Sequence, residues 1–120
     1  MMQAALLVSL GGALGALARF LLAQAVGLQL FPYATLVINI AGSFLIGAVW
    51  GAFADSGWFQ EWGRALLVTG VLGGFTTYSA FALDAVQLLQ EQRWLAVMGY
   101  VGATVIGCIL GCWAGFRWLA

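Results

Sequence analysis

With 120 residues, 64% of them hydrophobic and only 7% charged, the chain cannot cover a water-facing surface. Soluble domains carry about 25% charged residues, so the solvent this sequence suits is lipid. The formal net charge is zero and histidine is absent, which argues against a nucleic-acid partner for want of a basic patch and against a zinc-hydrolase site for want of ligands.

A membrane-crossing helix needs roughly 20 apolar residues, so the length holds four spans and no soluble catalytic domain. The whole chain is expected to form a single transmembrane domain. Met1-Met2-Gln3 lacks the basic start of a signal peptide, and the apolar run outlasts an h-region. The first span is expected over residues 4–26, with one charge, Arg19, inside it. Gly27 to Pro32 makes a turn, and Pro32 suits the start of the next helix. The second span, 33–54, has no charge. Asp55 to Arg64 is the most polar stretch, with Trp58, Phe59 and Trp62 at interfacial depth. The third span is expected over 65–89, with Asp84 near its end. Gln90 to Arg93 forms a polar turn, and the fourth span, 94–116, is again uncharged, with Arg117 and Trp118 at its exit. No segment alternates with period two, which excludes a barrel.

Many of the 17 glycines recur at a spacing of four: Gly11/Gly15, Gly47/Gly51, Gly70/Gly74 and Gly107/Gly111/Gly115. Small-residue stripes let helix backbones approach closely in lipid. They fit packing within one bundle and also a dimer interface. Cys108 and Cys112, one helix turn apart, are read as small apolar fillers, since a disulfide along one turn has poor geometry.

Arg64 and Arg117 fall on one side of the membrane and Arg93 on the other, with Arg19 within the membrane towards that end. The positive-inside rule then gives almost no preference, and insertion in both orientations is expected.

Polar groups inside a membrane are expensive and call for an explanation. Thr35, Asn39 and Ser43 recur every four residues on one face of the second helix, drifting about 40° per step. Tyr100, Thr104 and Cys108 do the same on the fourth. Both stripes supply hydrogen-bonding groups without fixed charge, and serve either as interhelical glue or as a path that solvates an anion. In the third span two glycines and two threonines are adjacent, Leu72-Gly73-Gly74-Phe75-Thr76-Thr77-Tyr78-Ser79-Ala80-Phe81. Each glycine weakens a helix by about 1 kcal/mol relative to alanine. A break here would free backbone groups in mid-bilayer, tolerated only against protein, an ion or water, and broken helices of this kind recur at ion sites.

Three blocks together resemble the Fluc/CrcB fluoride channels: Gly11-Gly12-Ala13-Leu14-Gly15-Ala16-Leu17-Ala18-Arg19-Phe20, Thr35-Leu36-Val37-Ile38-Asn39, and Gly73-Gly74-Phe75-Thr76-Thr77-Tyr78-Ser79-Ala80-Phe81. They appear in the family's order and cover essentially the whole chain; the third is the most specific. The resemblance implies an all-α membrane protein of four transmembrane helices with a break in the third, paired as an antiparallel, dual-topology homodimer with two pores. It further implies passive fluoride export through the bacterial inner membrane, without enzymatic chemistry. Gly73 and Thr76 match positions whose backbone carbonyls hold a structural Na⁺ at the dimer centre. Tyr78 and Phe81 match paired aromatics whose ring edges line the anion path, and Asn39 the asparagine that meets the anion near them. Thr35, Ser79, Tyr100, Thr104 and Cys108 fall on or beside a hydroxyl-bearing track, and Arg19 matches an arginine near the vestibule.

The chain departs from the family's usual Thr-Thr-Phe-Ser-Thr-Phe-Ser at Tyr78, Ala80 and Ala82. Asp84 stands where glutamate is common and Cys108 where serine is frequent. Two other classes are open to a short four-span chain. A cation/proton antiporter needs a membrane-buried carboxylate, for which Asp84 is the only candidate. An accessory subunit of a larger complex would explain the glycine stripes but not the Gly-Gly-Phe-Thr-Thr run.

Overall fold

The computed structural model describes all 120 residues and is helical throughout, without strands. Four apolar helical runs are long enough to cross a membrane: Met2–Val26, Tyr33–Phe53, Phe59–Gln90 and Trp94–Leu119. The first is α1 (Met2–Val26), which ends at Gly27, whose φ of 75° only glycine adopts without strain. The second is α2 (Tyr33–Phe53), with Pro32 as its N-cap residue.

The third run is composite. A π-wound segment, Phe59–Leu72, leads into a single turn, α3 (Gly73–Phe75). Thr76 and Thr77 then adopt extended backbone, with φ/ψ of −87°/158° and −153°/117°. Helix α4 (Tyr78–Gln90) follows, and Gln92 in the left-handed region turns the chain into α5 (Trp94–Leu119).

The third run starts earlier than the sequence reading placed it. Only Ala54 to Ser56 lie outside helix, and the Asp55–Arg64 stretch is mostly helical. The reason is an aromatic cluster that packs the new helix onto the end of α2. Phe59 is buried, its ring meeting Trp50 edge-on at 5.7 Å, and Trp58 meets Phe53 at 5.1 Å. The polar residues of the stretch, Gln60, Glu61 and Arg64, are exposed, with the Arg64 guanidinium 5.7 Å from the centre of the Trp50 ring.

The glycine stripes act inside the chain, in two helix pairs. Between α1 and the third run, a Cβ on Gly11 would lie 2.5 Å from the Leu66 carbonyl oxygen, and one on Gly70 would lie 3.0 Å from the Gly11 Cα. Between α2 and α5, a Cβ on Gly51 would lie 2.6 Å from the Phe116 oxygen, and one on Gly115 would lie 2.9 Å from the Ala48 nitrogen. Side chains at these positions would force the helices apart.

Only 16 of 120 residues are buried, so most apolar surface faces outward, as lipid or a further chain requires. A small core at one end joins α4 to α5, where Tyr100, fully buried, packs with Phe81 and Leu88. At that end the Arg93 guanidinium donates to the Leu30 carbonyl, tying the α4–α5 turn to the α1–α2 turn. Both cysteines are free thiols.

Candidate functional site

The extended residues Thr76 and Thr77 create a local hydrogen-bonding problem. In an uninterrupted helix the Gly73 carbonyl would accept from Thr77 N–H and the Gly74 carbonyl from Tyr78 N–H. Neither bond forms. Leaving such a group buried without a partner costs about 1–3 kcal/mol, so substitutes are expected, and side chains from two other helices supply them.

The first substitute is Asn39 on α2, whose amide clamps Thr77 from both sides. Its Oδ1 accepts from Thr77 N–H at 2.8 Å, and its Nδ2 donates to the Thr77 carbonyl at 3.0 Å. This two-point pairing reproduces what a neighbouring strand would offer an extended residue. One Nδ2 hydrogen is left over from the clamp. The second substitute is Arg19 on α1, whose Nε–H donates to the Gly74 carbonyl at 3.1 Å. Thr77 is also the N-cap of α4, its hydroxyl accepting from Ala80 N–H at 3.1 Å and lying 3.3 Å from the Ser79 hydroxyl. The Thr76 hydroxyl turns back to the Leu72 carbonyl at 2.9 Å. The Gly73 carbonyl receives no hydrogen bond from the chain.

Next to this region a groove of about 380 Å³ runs between α2, the third run and α5. It is lined on the polar side by Asn39, Ser43, Thr76, Thr77, Thr104 and Cys108, with the rings of Tyr78 and Phe81, and it contains no charged residue. Tyr78 and Phe81 meet edge to face at 5.6 Å and 89°. Phe81 is buried, whereas Tyr78 is 81% exposed. The Thr104 hydroxyl is the one buried side-chain polar atom without a hydrogen-bond partner. Such a hydroxyl keeps its hydrogen-bonding capacity for whatever enters the groove.

Not every residue singled out in the sequence reaches this groove. Thr35 lines a second cavity of about 410 Å³ at one end of the helix bundle, together with Asp84, Gln87 and Glu91. Tyr100 sits between the two, its ring 5.1 Å from Phe81 and its hydroxyl donating to Asp84 Oδ2 at 2.9 Å. Ser79 is exposed beside Thr77. Arg19 lies against Gly74 on the α1 side, away from the groove lining.

Sequence reasoning did not anticipate the Asn39–Thr77 clamp, the Arg19–Gly74 bond or the Tyr100–Asp84 bond. Each couples residues 16 to 55 positions apart, a separation no local pattern encodes. Thr77 itself carried a signal, as a threonine directly before a helical run.

The fold and the groove define a small multi-pass membrane protein with an uncharged groove lined by hydrogen-bonding groups. Residues 6–116 match the family described as CrcB-like protein, Camphor Resistance (CrcB), and the chain belongs to that family. It is similar to the fluoride-specific ion channel FluC of Anaeromyxobacter sp. (strain K), 42% identical with 96% of each chain covered. The FluC of Chelativorans sp. (strain BNC1) is 45% identical over 96% of this chain and 94% of its own. FluC 2 of Rhodococcus jostii (strain RHA1) is 44% identical over 93% and 95%.

Proposed function

We infer that the protein is a fluoride channel, carrying the anion passively out of the cytoplasm across the bacterial inner membrane. The observation that carries this reading is the groove itself: an unpartnered Thr104 hydroxyl, a spare Asn39 amide hydrogen and two aromatic rings, with no fixed charge among them. Fluoride is small and strongly hydrated, so its path must replace water with several neutral donors and electropositive ring edges. A fixed cation in the path would hold the ion too tightly to release it. The relatives named as fluoride-specific channels support the same ion. Neutral HF crosses membranes and dissociates in a less acidic cytoplasm, so a passive exit for the anion relieves its accumulation.

In this reading Asn39, Tyr78, Phe81 and Thr104 line the path, with Thr35, Ser79 and Tyr100 beside it and Arg19 supporting it from α1. The third helix works as two half-helices on either side of Thr76–Thr77, an assignment supported by their extended dihedrals. The channel is an antiparallel homodimer. Two observations favour that assembly: the groove opens on the subunit surface at the exposed Tyr78, and the arginines are nearly balanced between the two sides. Gly73 and Thr76 fit a structural Na⁺, because the Gly73 carbonyl has no donor and a hard cation takes oxygen ligands. The ion would supply a fixed charge that ties two subunits together at their backbone carbonyls.

A cation/proton antiporter fits less well. Asp84, its only candidate carboxylate, is held by Tyr100 at the end of the subunit, outside the uncharged groove.

Fluoride efflux from liposomes, with chloride as the comparison, tests the function. Fast fluoride release without chloride release is expected; no release, or equal rates for both anions, overturns it. Cysteine labelling at engineered loop positions tests the assembly, and modification of a single face only would sink the antiparallel homodimer.

A further inference from the structure

Arg19 is a charged residue inside a membrane span, and its contact in the fold is a backbone carbonyl. The Nε–H donates to Gly74 O at 3.1 Å in a partly buried setting. That carbonyl lost its helical donor because Thr76 and Thr77 are extended. It also lies at the carbonyl end of the helix that closes at Phe75, where the helix dipole favours a donor bearing positive charge. The approach is prepared by glycine. A Cβ on Gly74 would lie 2.5 Å from the Gly12 oxygen, and one on Gly15 would lie 2.8 Å from Phe75 N. The backbones of α1 and α3 are therefore in direct contact, and Arg19, one turn beyond Gly15, reaches the carbonyl sideways.

We propose that Arg19 is a positioning residue, which serves fluoride passage by holding the Gly74 carbonyl, and with it the chain entering Thr76–Thr77, rather than by offering its charge to the anion. The inference rests on the fluoride-channel reading given above. It places the extended pair between two side-chain supports, Arg19 from α1 before it and Asn39 from α2 upon it.

Three substitutions separate the hydrogen bond from the charge. The amide nitrogen of glutamine stands the same number of bonds from the backbone as arginine Nε. Arg19→Gln therefore keeps the donor and removes the charge. Lysine carries a methylene at that position and its ammonium one atom further out, so Arg19→Lys keeps the charge and loses the donor. Arg19→Met lacks both.

The test is fluoride efflux from liposomes containing each variant, at low and high ionic strength. The Gly74 carbonyl ¹³C resonance is followed in parallel on the full chain. The expected result is that Arg19→Gln stays within about threefold of the parent chain, while Lys and Met fall at least tenfold. The resonance should shift in Lys and Met and remain in place in Gln. Retention by Lys with loss by Gln, accompanied by weaker salt dependence, would assign the role to charge and overturn the proposal. Equal fluxes in all three, or equal losses with an unmoved resonance, would overturn it as well. A parent chain that passes no fluoride would sink the channel reading instead, and the resonance would still report the hydrogen bond.

Discussion

The α2–α5 pair and the segment around Thr76–Thr77 hold helices together by opposite means. Along α2 and α5 the backbone is regular helix, and glycine removes whatever would keep the two apart. Gly47 and Gly115 press against carbonyls of the facing helix, with no side chain between them. Around Thr76–Thr77 the backbone is irregular, and side chains of Asn39, Arg19 and Thr77 take the place of missing helical bonds. The first region is specified by what its residues lack, the second by what they carry. The lesson is that small-residue packing builds the frame in lipid, whereas polar side chains support the place where the chain leaves the helix.

The sharpest test of glycine packing is to add bulk on two faces of α1, the one that bears the Gly11/Gly15 stripe and the one that does not. Gly15→Leu puts a side chain against the backbone at Phe75 N, 2.8 Å from its Cβ, and backbone cannot give way. Loss of a monodisperse fold in detergent is expected, at a cost of about 3 kcal/mol. A Cβ on Gly12 meets nothing within 4 Å, and Gly12→Leu should leave the size-exclusion profile of the chain unchanged. Equal behaviour of the two would mean that the stripe does not pack as described.

A smaller effect is expected from removing a side-chain support. Asn39→Ala strips Thr77 of two hydrogen bonds and leaves both of its backbone groups short of partners. A loss of about 2 kcal/mol or more in unfolding and an at least tenfold drop in fluoride flux should follow. Ser43→Ala, one turn further along the same groove and without a hydrogen bond, should change stability by no more than about 0.5 kcal/mol. Unfolding in detergent and efflux from liposomes measure both.

These contrasts also explain which features were legible in the sequence. Hydropathy alone marked four spans, because lipid demands long uncharged runs. It misplaced the start of the third, since Gln60, Glu61 and Arg64 lower the apolar content although they only occupy the outer face. The glycine stripes were visible, yet a spacing of four is the same whether the facing helix belongs to this subunit or to another. Arg19 and Asn39 stood out as costly residues in a membrane. Their partners did not, because Gly74 and Thr77 lie 55 and 38 positions away and are reached through backbone atoms that carry no sequence signature.

The aromatic pair sharpens the comparison further. Phe81 is held between Tyr78 and Tyr100, with ring centres at 5.6 and 5.1 Å. Phe81→Ile keeps an apolar group of moderate size but loses the electropositive ring edge, worth about 0.5–1.5 kcal/mol per contact. A roughly tenfold lower fluoride flux is expected from a folded protein. Tyr78→Phe keeps the edge and should stay within about twofold. Unchanged flux in Phe81→Ile would reduce the ring to packing.

The smallest expected effect is also the most discriminating, because stability and flux should move in opposite directions. Thr104 buries a hydroxyl that no group in the chain satisfies, and such an atom costs about 1–3 kcal/mol. Thr104→Val keeps the branched shape and removes the hydroxyl, so the folded chain should become more stable, by about 1 kcal/mol. If that hydroxyl serves the passing anion, flux should fall severalfold in the same protein. Thr104→Ser keeps the hydroxyl while losing a methyl group, so it should conduct normally and be slightly less stable. Paired thermal unfolding and liposome efflux on the two variants decide the matter. A valine variant that is more stable and conducts fully would mean that the hydroxyl lies off the path, and that the polar face of α5 contributes nothing to the ion's solvation at that depth.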